Sequence, residues 1–263
     1  MKLRATIIKL HWLLRQFGLD PRLFLLSLRA ILWFLRDWWR FRKGYFGKLT
    51  LMPCLHDRFQ EGGSTKSEYF WQDLLVARWI FEAKPQRHVD VGSRLDGFVA
   101  HVASFREIEV FDVRPITTHI SGVVFKQADL MQPVATDSAG ECCDSLSCLH
   151  ALEHFGLGRY GDPIDPKGYE RGIANMAHLL KPGGRFYLST PIGQERVEFN
   201  ANHVFEPGTI IRCAEANRLQ LQELTIIGRG GAVSQVQPNK QTLMELAQAD
   251  YNLGIFTFIK TSQ

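Results

Sequence analysis

Apolar and polar residues alternate in regular blocks from about residue 67 to the end of the chain. Short apolar runs predict strands, which cover residues 88–91, 109–112, 123–129, 143–150, 185–191, 221–227 and 254–260. Longer runs with helical spacing predict helices at about 67–83, from about 98, and at about 168–180 and 207–217. This alternation predicts an α/β fold, with a doubly wound, mostly parallel sheet of seven strands and helices on both faces.

The segment 88–115 holds the pattern with the clearest chemical meaning. A strand, His88–Val91, leads into a turn with Gly92 and Gly97, and the next strand ends at Asp112. Glycines allow the backbone to approach a ligand closely, and a carboxylate at the end of the second strand can accept hydrogen bonds from ribose hydroxyls. The segment therefore indicates the first half of a nucleotide-binding domain.

The N-terminal segment has a different pattern, in which apolar and aromatic residues are interleaved with arginines. Residues 1–48 contain eleven Lys or Arg and two Asp, a net charge of +9, whereas the rest of the chain carries −5. The pattern predicts two or three short amphipathic helices, broken at Gly18 and Asp20–Pro21. The most apolar run, Leu23–Leu35, is shorter than the roughly 20 residues of a spanning helix and contains Arg29, so we expect no transmembrane helix. No small-residue cleavage site follows, so we expect no signal peptide.

Three segments are expected: a basic amphipathic helical segment at 1–48, an irregular linker or lid at 49–66, and an α/β domain at 67–263. The basic helices fit two interpretations. They bind an anionic membrane surface or a protein partner, or they pack on the α/β domain with arginines at the rim. No recognised motif for nucleic acid accompanies the charge, so we expect no nucleic-acid partner. Five cysteines without metal-ligand spacing indicate a reducing, cytoplasmic compartment, and the basic helices offer a means of attachment to the inner face of the membrane.

Several motifs together give the α/β domain a family resemblance. They are the acid-ended strands at Asp90, Asp112 and Asp129, the polar strand end at His150, and the turn at 179–186. In this combination, residues from about Ser67 to Lys260 resemble the class I S-adenosylmethionine-dependent methyltransferases, which have a Rossmann-like fold. Segments 90–98, 109–112 and 150–162 are similar to a narrower, methyltransferase-like family of unknown function, number 268. Its members occur among genes for bacterial surface glycans, which implies a sugar or glycan-precursor acceptor.

The resemblance implies a site for S-adenosylmethionine. Gly92 and Ser93 would let the backbone approach the methionine part of the cofactor, and Asp90 would organise that turn or meet the ammonium group through water. The other implied positions follow later strands. Asp112 would accept hydrogen bonds from both ribose hydroxyls, and Asp129 would accept one from the adenine amino group. Leu149 and His150 would line the far side of the cofactor pocket. A sulfonium needs no phosphate cradle, so a short turn and strand-end acids suffice.

The turn departs from the family pattern at Arg94 and Asp96, where most relatives carry glycine. Arg94 has three alternatives: to fold outward, to clamp the carboxylate of the cofactor, or to occupy the pocket and prevent binding.

Histidines supply the candidate catalytic groups. His150 and His154 would lie one helical turn apart if their segment is helical, and His203 follows the fifth strand. An imidazole with a pKa near neutrality can remove the proton of a sugar hydroxyl during methyl transfer. We expect His154 to be this general base and His203 to be its orienting partner or substitute. The alternative for His154 is a structural role in the loop after the fourth strand.

The same segment spells HxxEH, which also allows a metal-binding interpretation with His150, Glu153, His154 and His203 as ligands. The acids in the loop 161–166 either bind sugar hydroxyls or form turns. Two alternatives to a methyltransferase therefore stay open: a metal-dependent enzyme at HxxEH, and a non-catalytic Rossmann-like module that recruits glycan enzymes at the membrane. Of the three functions, we expect the methyltransferase, and we expect no resident metal.

Overall fold

The computed structural model describes residues 2–133 and 142–262. The chain divides into two compact units, residues 1–64 and residues 65–263. All but the last two residues of the expected linker, 49–66, belong to the first unit.

The first unit contains two helices, α1 (Lys2–Gln16) and α2 (Pro21–Gly44), and a short 3-10 turn. The predicted break between them is confirmed and has a local cause. The Asp20 carboxylate caps α2 by accepting hydrogen bonds from the backbone N–H groups of the second and third helical residues at 3.0 and 3.1 Å, and Pro21 occupies the first helical position. With 24 residues, α2 is longer than the short helices predicted. Within the described part of the chain, no helix combines the length and the apolar content needed to cross a membrane.

The second unit alternates strands and helices along the whole of its length. Its elements are α3 (Glu68–Ala83), β1 (His88–Val91), α4 (Ala100–Ala103), β2 (Ile108–Asp112), β3 (Val123–Gln127), β4 (Cys143–Leu149), α5 (Gly168–Leu179), β5 (Leu180–Ile192), β6 (Arg196–Glu198), β7 (Asn202–Val204), α6 (Pro207–Glu215), β8 (Leu219–Ile227), β9 (Val233–Val236), α7 (Lys240–Gln248) and β10 (Asn252–Lys260). Every strand and helix predicted in this region has a counterpart.

The main sheet has the order β3-β2-β1-β4-β5-β10-β8-β9. The pairs from β3 to β5 are parallel, whereas β10 runs antiparallel to both of its neighbours and β9 is antiparallel to β8. The doubly wound, mostly parallel architecture is therefore confirmed, but the expected number of seven strands is wrong. Eight strands form the sheet, because the short segment β9 adds to its edge, and β6 and β7 form a separate hairpin. β9 has only four residues, and its two valines do not alternate with polar positions, which is why the hydrophobic pattern missed it.

Two apolar cores cover the two faces of the sheet. One contains side chains of α5 and α6, and the other contains side chains of α3 and of the turn before α4. Two details differ from the prediction. Ser67 lies at the N-cap of α3, but its side chain makes no capping hydrogen bond. The helix expected from about Phe98 begins as a wide π-type turn at Leu95–Val99, and only the four residues of α4 are α-helical.

The sheet order determines where a ligand site can form. The chain leaves β1 toward β2 on one side, and β4 lies on the other side of β1. At such a switch point the loops that follow the parallel strands diverge, which opens a crevice at their carboxyl ends. The loops after β1, β2, β3 and β4 lie at this edge of the sheet.

Candidate active site

Two adjoining cavities lie at the carboxyl ends of these strands. The more enclosed of the two is called the inner cavity, and the other is called the outer cavity. Both are lined by Gly92, Asp112, Arg114, His150, His154 and Tyr160. Asp129 lines the inner cavity, and Ser93 and Arg94 line the outer one. The structure thus brings most of the predicted site residues together at one place.

Asp90, the third residue of β1, is completely buried and organises the turn after the strand. Its carboxylate accepts hydrogen bonds from the Ser93 backbone N–H at 3.0 Å and from the hydroxyls of Ser93 and Ser147, both at 2.6 Å. The Ser93 hydroxyl in turn accepts from the backbone N–H of Leu149, the last residue of β4. Burial raises the pKa of Asp90 to about 7, against the opposing effect of these hydrogen bonds. Asp90 therefore holds the turn against β4, and it lies behind the cavities with Leu149.

Gly92 has a left-handed backbone conformation with φ of 71°. A Cβ atom at this position would lie 2.9 Å from the Cβ of Ala151, which is closer than two carbon atoms can approach. Any larger residue would therefore need both a strained backbone and a shift of the loop after β4. Glycine leaves this part of the cavity wall open to a ligand.

Arg94 pairs with Asp96 and does not fill the inner cavity. Its guanidinium donates to the Asp96 carboxylate at 3.1 and 2.9 Å, and half of the arginine side chain is exposed. It also lies over the ring of Tyr69, 5.1 Å from the centroid. Of the three alternatives for Arg94, the structure fits the outward one, with the guanidinium at the wall of the outer cavity.

Asp112, at the end of β2, already has a partner in its own chain. Its Oδ1 accepts from the backbone N–H and the Nε of Arg114 at 2.8 and 3.0 Å, and its Oδ2 accepts from Arg114 Nη2 at 2.6 Å. Asp129 accepts only from the Met131 backbone N–H, at 2.9 Å, among the contacts described for its carboxylate. Both acids lie at the cavity wall, as the sequence predicted for adjacent parallel strands.

His150 follows β4 in a left-handed conformation, with φ of 53°, and lies in a buried ionic network. Its Nδ1 is 2.6 Å from Glu153 Oε1, and its Nε2 is 3.3 Å from Glu68 Oε1. The second contact is an ion pair without hydrogen-bond alignment. The Tyr251 hydroxyl donates to Glu68 Oε1 at 2.7 Å, and the Tyr69 ring stacks on the imidazole at a centroid distance of 4.4 Å.

The charges of this network follow from burial and proximity. Burial alone would lower the pKa of His150, but the Glu153 and Glu68 carboxylates outweigh it and raise the pKa to about 9. Burial alone would likewise raise the pKa of Glu153, but the imidazoles of His150 and His154 hold it below its usual value. At neutral pH the network therefore contains one imidazolium between two carboxylates, a net charge of −1 beside the cavities.

His154 lies at the wall of both cavities, close to the same network. Its Nε2 is 3.8 Å from Glu153 Oε1, and its Nδ1 accepts a hydrogen bond from Arg159 Nη1 at 3.3 Å. We assign the proton of the neutral ring to Nε2 from these contacts. Burial lowers the pKa of His154, and the opposing effect of Glu153 does not restore it. His154 is therefore a neutral imidazole at physiological pH, as a general base must be before reaction.

The HxxEH segment does not meet the condition under which His150 and His154 would lie one helical turn apart. Only Leu152–His154 forms a 3-10 turn, so His150 and His154 are not related by an α-helical turn. His203 lies on β7, stacked on Phe205 at a centroid distance of 5.1 Å, and it is not among the residues that line either cavity. Across residues 2–133 and 142–262, no group of three His, Cys, Asp or Glu side chains is arranged to hold a metal ion.

The loop after the 3-10 turn is organised by Asp162. Its carboxylate accepts hydrogen bonds from the backbone N–H groups of Gly156, Gly158 and Tyr160 at 3.0 to 3.2 Å. Of the two alternatives for the acids in this loop, Asp162 therefore fits the turn-forming one. Its contacts fix the backbone of Tyr160, whose ring lies at the cavity wall.

Sequence reasoning missed several members of the site. Glu68 and Tyr251 join the His150 network from positions 183 residues apart, and no local motif could have related them. Arg114 and Arg159 were missed although Arg114 stands only two residues after Asp112, a spacing at which a side chain can return to the carboxylate. The sequence did contain a signal for Ser147. Polar and apolar residues alternate along β4, and a polar residue on a mostly buried strand needs a hydrogen-bond partner.

The comparisons with known proteins agree with this architecture. A family model, described as "Caenorhabditis protein of unknown function, DUF268", matches residues 132–214. The match covers about a third of the chain and includes the loop from His150 to Asp162, so the predicted resemblance to that family is confirmed over this region. No protein of curated function matches the chain.

Solved structures with similar folds include methyltransferases and a cyclase. The N-methyltransferase NodS of Bradyrhizobium japonicum WM9 has a TM-score of 0.52 and 16% identity, over 77% of this chain and 100% of that one. A 1,6-didemethyltoxoflavin-N1-methyltransferase of Burkholderia thailandensis, with bound 1,6-didemethyltoxoflavin and S-adenosylhomocysteine, has a TM-score of 0.51 and 16% identity, over 72% and 79%. The [4+2]-cyclase SpnF has a TM-score of 0.51 and 14% identity, over 73% and 82%.

These similarities confirm the class of fold that the sequence predicted, that of the Rossmann-like class I methyltransferases. At 14 to 16% identity they concern the fold alone. The presence of a cyclase among them illustrates that this fold does not determine the reaction. The function has to be argued from the site.

Proposed function

We propose that the protein is an S-adenosylmethionine-dependent methyltransferase. The observation that carries the proposal is the junction of the two cavities, where the open wall at Gly92, the strand-end acids Asp112 and Asp129, and the His150 network meet. When bound, the cofactor supplies an electrophilic methyl group on a positively charged sulfur. The net charge of −1 in the network favours a cation at this place, and a Cβ at Gly92 would fill the space that a close ligand needs.

The proposal assigns a separate task to each part of the site. Asp112 and Asp129, at neighbouring strand ends, bind the ribose hydroxyls and the adenine amino group. Gly92 and Ser93 lie along the methionine part, in a turn that Asp90 holds rigid. His154 removes the proton of the acceptor, and the acceptor itself is a hydroxyl of a sugar or glycan precursor. His154 has the neutral state that this task requires, and Glu153 lies 3.8 Å from it to stabilise the imidazolium that forms.

Titration calorimetry with S-adenosylhomocysteine tests the cofactor assignment. We expect the wild type to bind it and Asp112→Asn to bind about 10- to 100-fold more weakly, because hydrogen bonds to a charged acceptor are lost. Glu109→Gln is the matched control, since Glu109 lies on the same strand and pairs with Arg87 at 2.8 Å, but lines neither cavity. It should leave the affinity unchanged. A folded wild-type protein that does not bind would contradict the proposal and favour a non-catalytic module.

We further propose that the first unit binds an anionic membrane surface. Five apolar side chains on α2 repeat at helical spacing and are exposed, including Leu32 at 80% and Leu25 at 65%; the others are Leu28, Leu35 and Trp39. Arg22, Arg29, Arg36 and Arg40 follow the same repeat on the adjacent side of the helix. An apolar stripe flanked by arginines matches the boundary between acyl chains and anionic headgroups, and residues 1–48 supply a charge of +9.

Vesicle sedimentation of the full chain tests this attachment. We expect binding to phosphatidylcholine vesicles that contain phosphatidylserine, weaker binding at high salt, and little binding to phosphatidylcholine alone. The double variant Leu28→Asp, Leu32→Asp should bind at least about tenfold more weakly, since it places charge in the buried stripe. Met244→Asp changes an equally exposed residue of α7 and serves as the control. Unchanged binding of the double variant, or no vesicle binding by the wild type, would contradict the proposal.

A further inference from the structure

The contact between Arg114 and Asp112 competes with the ribose of the proposed cofactor. A carboxylate has about four lone-pair sites for hydrogen bonds. Arg114 already uses three of these sites, two through its guanidinium and one through its backbone N–H. Two ribose hydroxyls would need two more sites, so at least one guanidinium bond must break before both hydroxyls can bind. In the protein without cofactor, the Asp112 carboxylate is therefore occupied by Arg114 of the same chain.

The Arg114 guanidinium has a second contact that does not depend on Asp112. It lies over the ring of Tyr160, 4.5 Å from the centroid, and Arg114 lines both cavities. A second guanidinium, that of Arg159, lies over the same ring at 5.3 Å. The aromatic ring therefore positions two cations where the inner and outer cavities meet.

Arg159 has no carboxylate partner within residues 2–133 and 142–262. Its Nη1 donates to the backbone carbonyl of Ala201 at 2.8 Å and to His154 Nδ1 at 3.3 Å. Both are neutral acceptors, so the positive charge is not compensated by an ion pair. Planar guanidinium groups bind phosphate and carboxylate through paired hydrogen bonds.

We propose that Arg114 exchanges partners during the reaction cycle. In the free protein it closes the ribose position on Asp112; when the cofactor binds, it moves to join Arg159 and Tyr160 in a site for an anionic group of the acceptor, a phosphate or a carboxylate. This inference rests on the proposed methyltransferase function and defines its acceptor more narrowly. It makes cofactor and acceptor binding mutually favourable, because each stabilises the arrangement that the other needs.

The exchange also explains the contact between Arg159 and the proposed base. The lone pair of His154 Nδ1, the atom that must receive a proton, is engaged by Arg159 in the free protein. An anionic group that draws the Arg159 guanidinium to itself would release this lone pair. The base would then become available only when an acceptor of the correct charge is bound.

Calorimetry with S-adenosylhomocysteine on Arg114→Gln tests the exchange. We expect the variant to bind about three- to tenfold more tightly than the wild type, because a partly exposed but bidentate competitor is removed. Arg171→Gln is the matched control, since Arg171 pairs with Asp165 at 2.7 Å with similar exposure, outside both cavities. It should leave the affinity unchanged. Thermal unfolding of each variant establishes that it is folded.

Inorganic phosphate and acetate then probe the anion site, with chloride at equal ionic strength as the reference. In the wild type, we expect phosphate, acetate or both to tighten S-adenosylhomocysteine binding; the effective anion identifies the acceptor group. In Arg114→Gln neither should have an effect. If chloride acts equally well, or if the Arg114→Gln affinity is unchanged or weaker, the inference is overturned while the proposed function stands. If no variant binds S-adenosylhomocysteine at all, the proposed function fails and the inference falls with it.

Discussion

Glu153→Gln is expected to lower the free energy of unfolding by about 3 kcal/mol, because it removes the main charge partner of a buried imidazolium. His150 is 6% exposed and Glu153 1%, so neither charge can be solvated when the other is lost. Glutamine preserves the shape of the side chain and one hydrogen-bond acceptor, which isolates the effect of charge. Chemical denaturation of both proteins measures the difference. Glu82→Gln is the control, since its ion pair with Arg78 is exposed and should contribute less than about 0.5 kcal/mol.

The effect of Glu153→Gln should depend on pH in a defined direction. The pKa of His150 is raised from about 6.5 in the unfolded chain to about 9 in the folded protein. Its contribution is therefore fully present below pH 6.5 and is lost as the pH rises through about 9. The stability difference between wild type and variant should shrink over this range. NMR titration of labelled histidine should place the His150 transition near pH 9 in the wild type and lower in the variant. A transition that does not move would mean that Glu153 is not its partner.

Much of the fold could be predicted from the sequence because its strands and helices carry strong local patterns. In buried parallel strands such as β1 and β4, apolar residues alternate with polar ones, and α5 has apolar residues at helical spacing. Where the pattern was weak, the prediction failed. β9 has four residues, of which two are polar, and its position at the sheet edge is decided by its pairing with β8.

The candidate site could be predicted only where the chain places its residues at strand ends. The strand and turn pattern pointed to Asp112, and the family resemblance added Asp129; both lie near the carboxyl ends of adjacent parallel strands, which meet at the same edge of the sheet. The partners of these residues did not follow. Side-chain geometry decides that Arg114 turns back onto Asp112, and tertiary packing brings Glu68 and Tyr251 to His150. The conformation of the HxxEH segment stayed open in the sequence; His150 adopts a left-handed conformation, and the chain continues into a 3-10 turn.

His154→Gln is expected to reduce kcat for methyl transfer by about 10²- to 10⁴-fold, the usual contribution of a positioned general base. The assay follows transfer of a labelled methyl group to an acceptor found by screening sugars that carry a phosphate or carboxylate. The pKa of His154 is lowered by burial, and the base acts in its neutral form. The wild-type rate should therefore rise with pH through a value below 6.5 and remain constant above it. The variant should lack this acid limb and still bind S-adenosylhomocysteine.

His203→Gln separates the two histidines that the sequence offered as bases. His203 packs on Phe205 and Tyr169 and lines neither cavity, so its substitution should reduce kcat less than about tenfold and leave the acid limb in place. If instead His203→Gln removes the acid limb and His154→Gln retains it, the base is His203, and the hairpin of β6 and β7 must approach the cavities during the reaction. If neither substitution affects the limb, the acceptor loses its proton without a histidine. The Glu153 carboxylate, 3.8 Å from His154, would then have no imidazolium of His154 to stabilise, and its charge would only favour the positively charged cofactor.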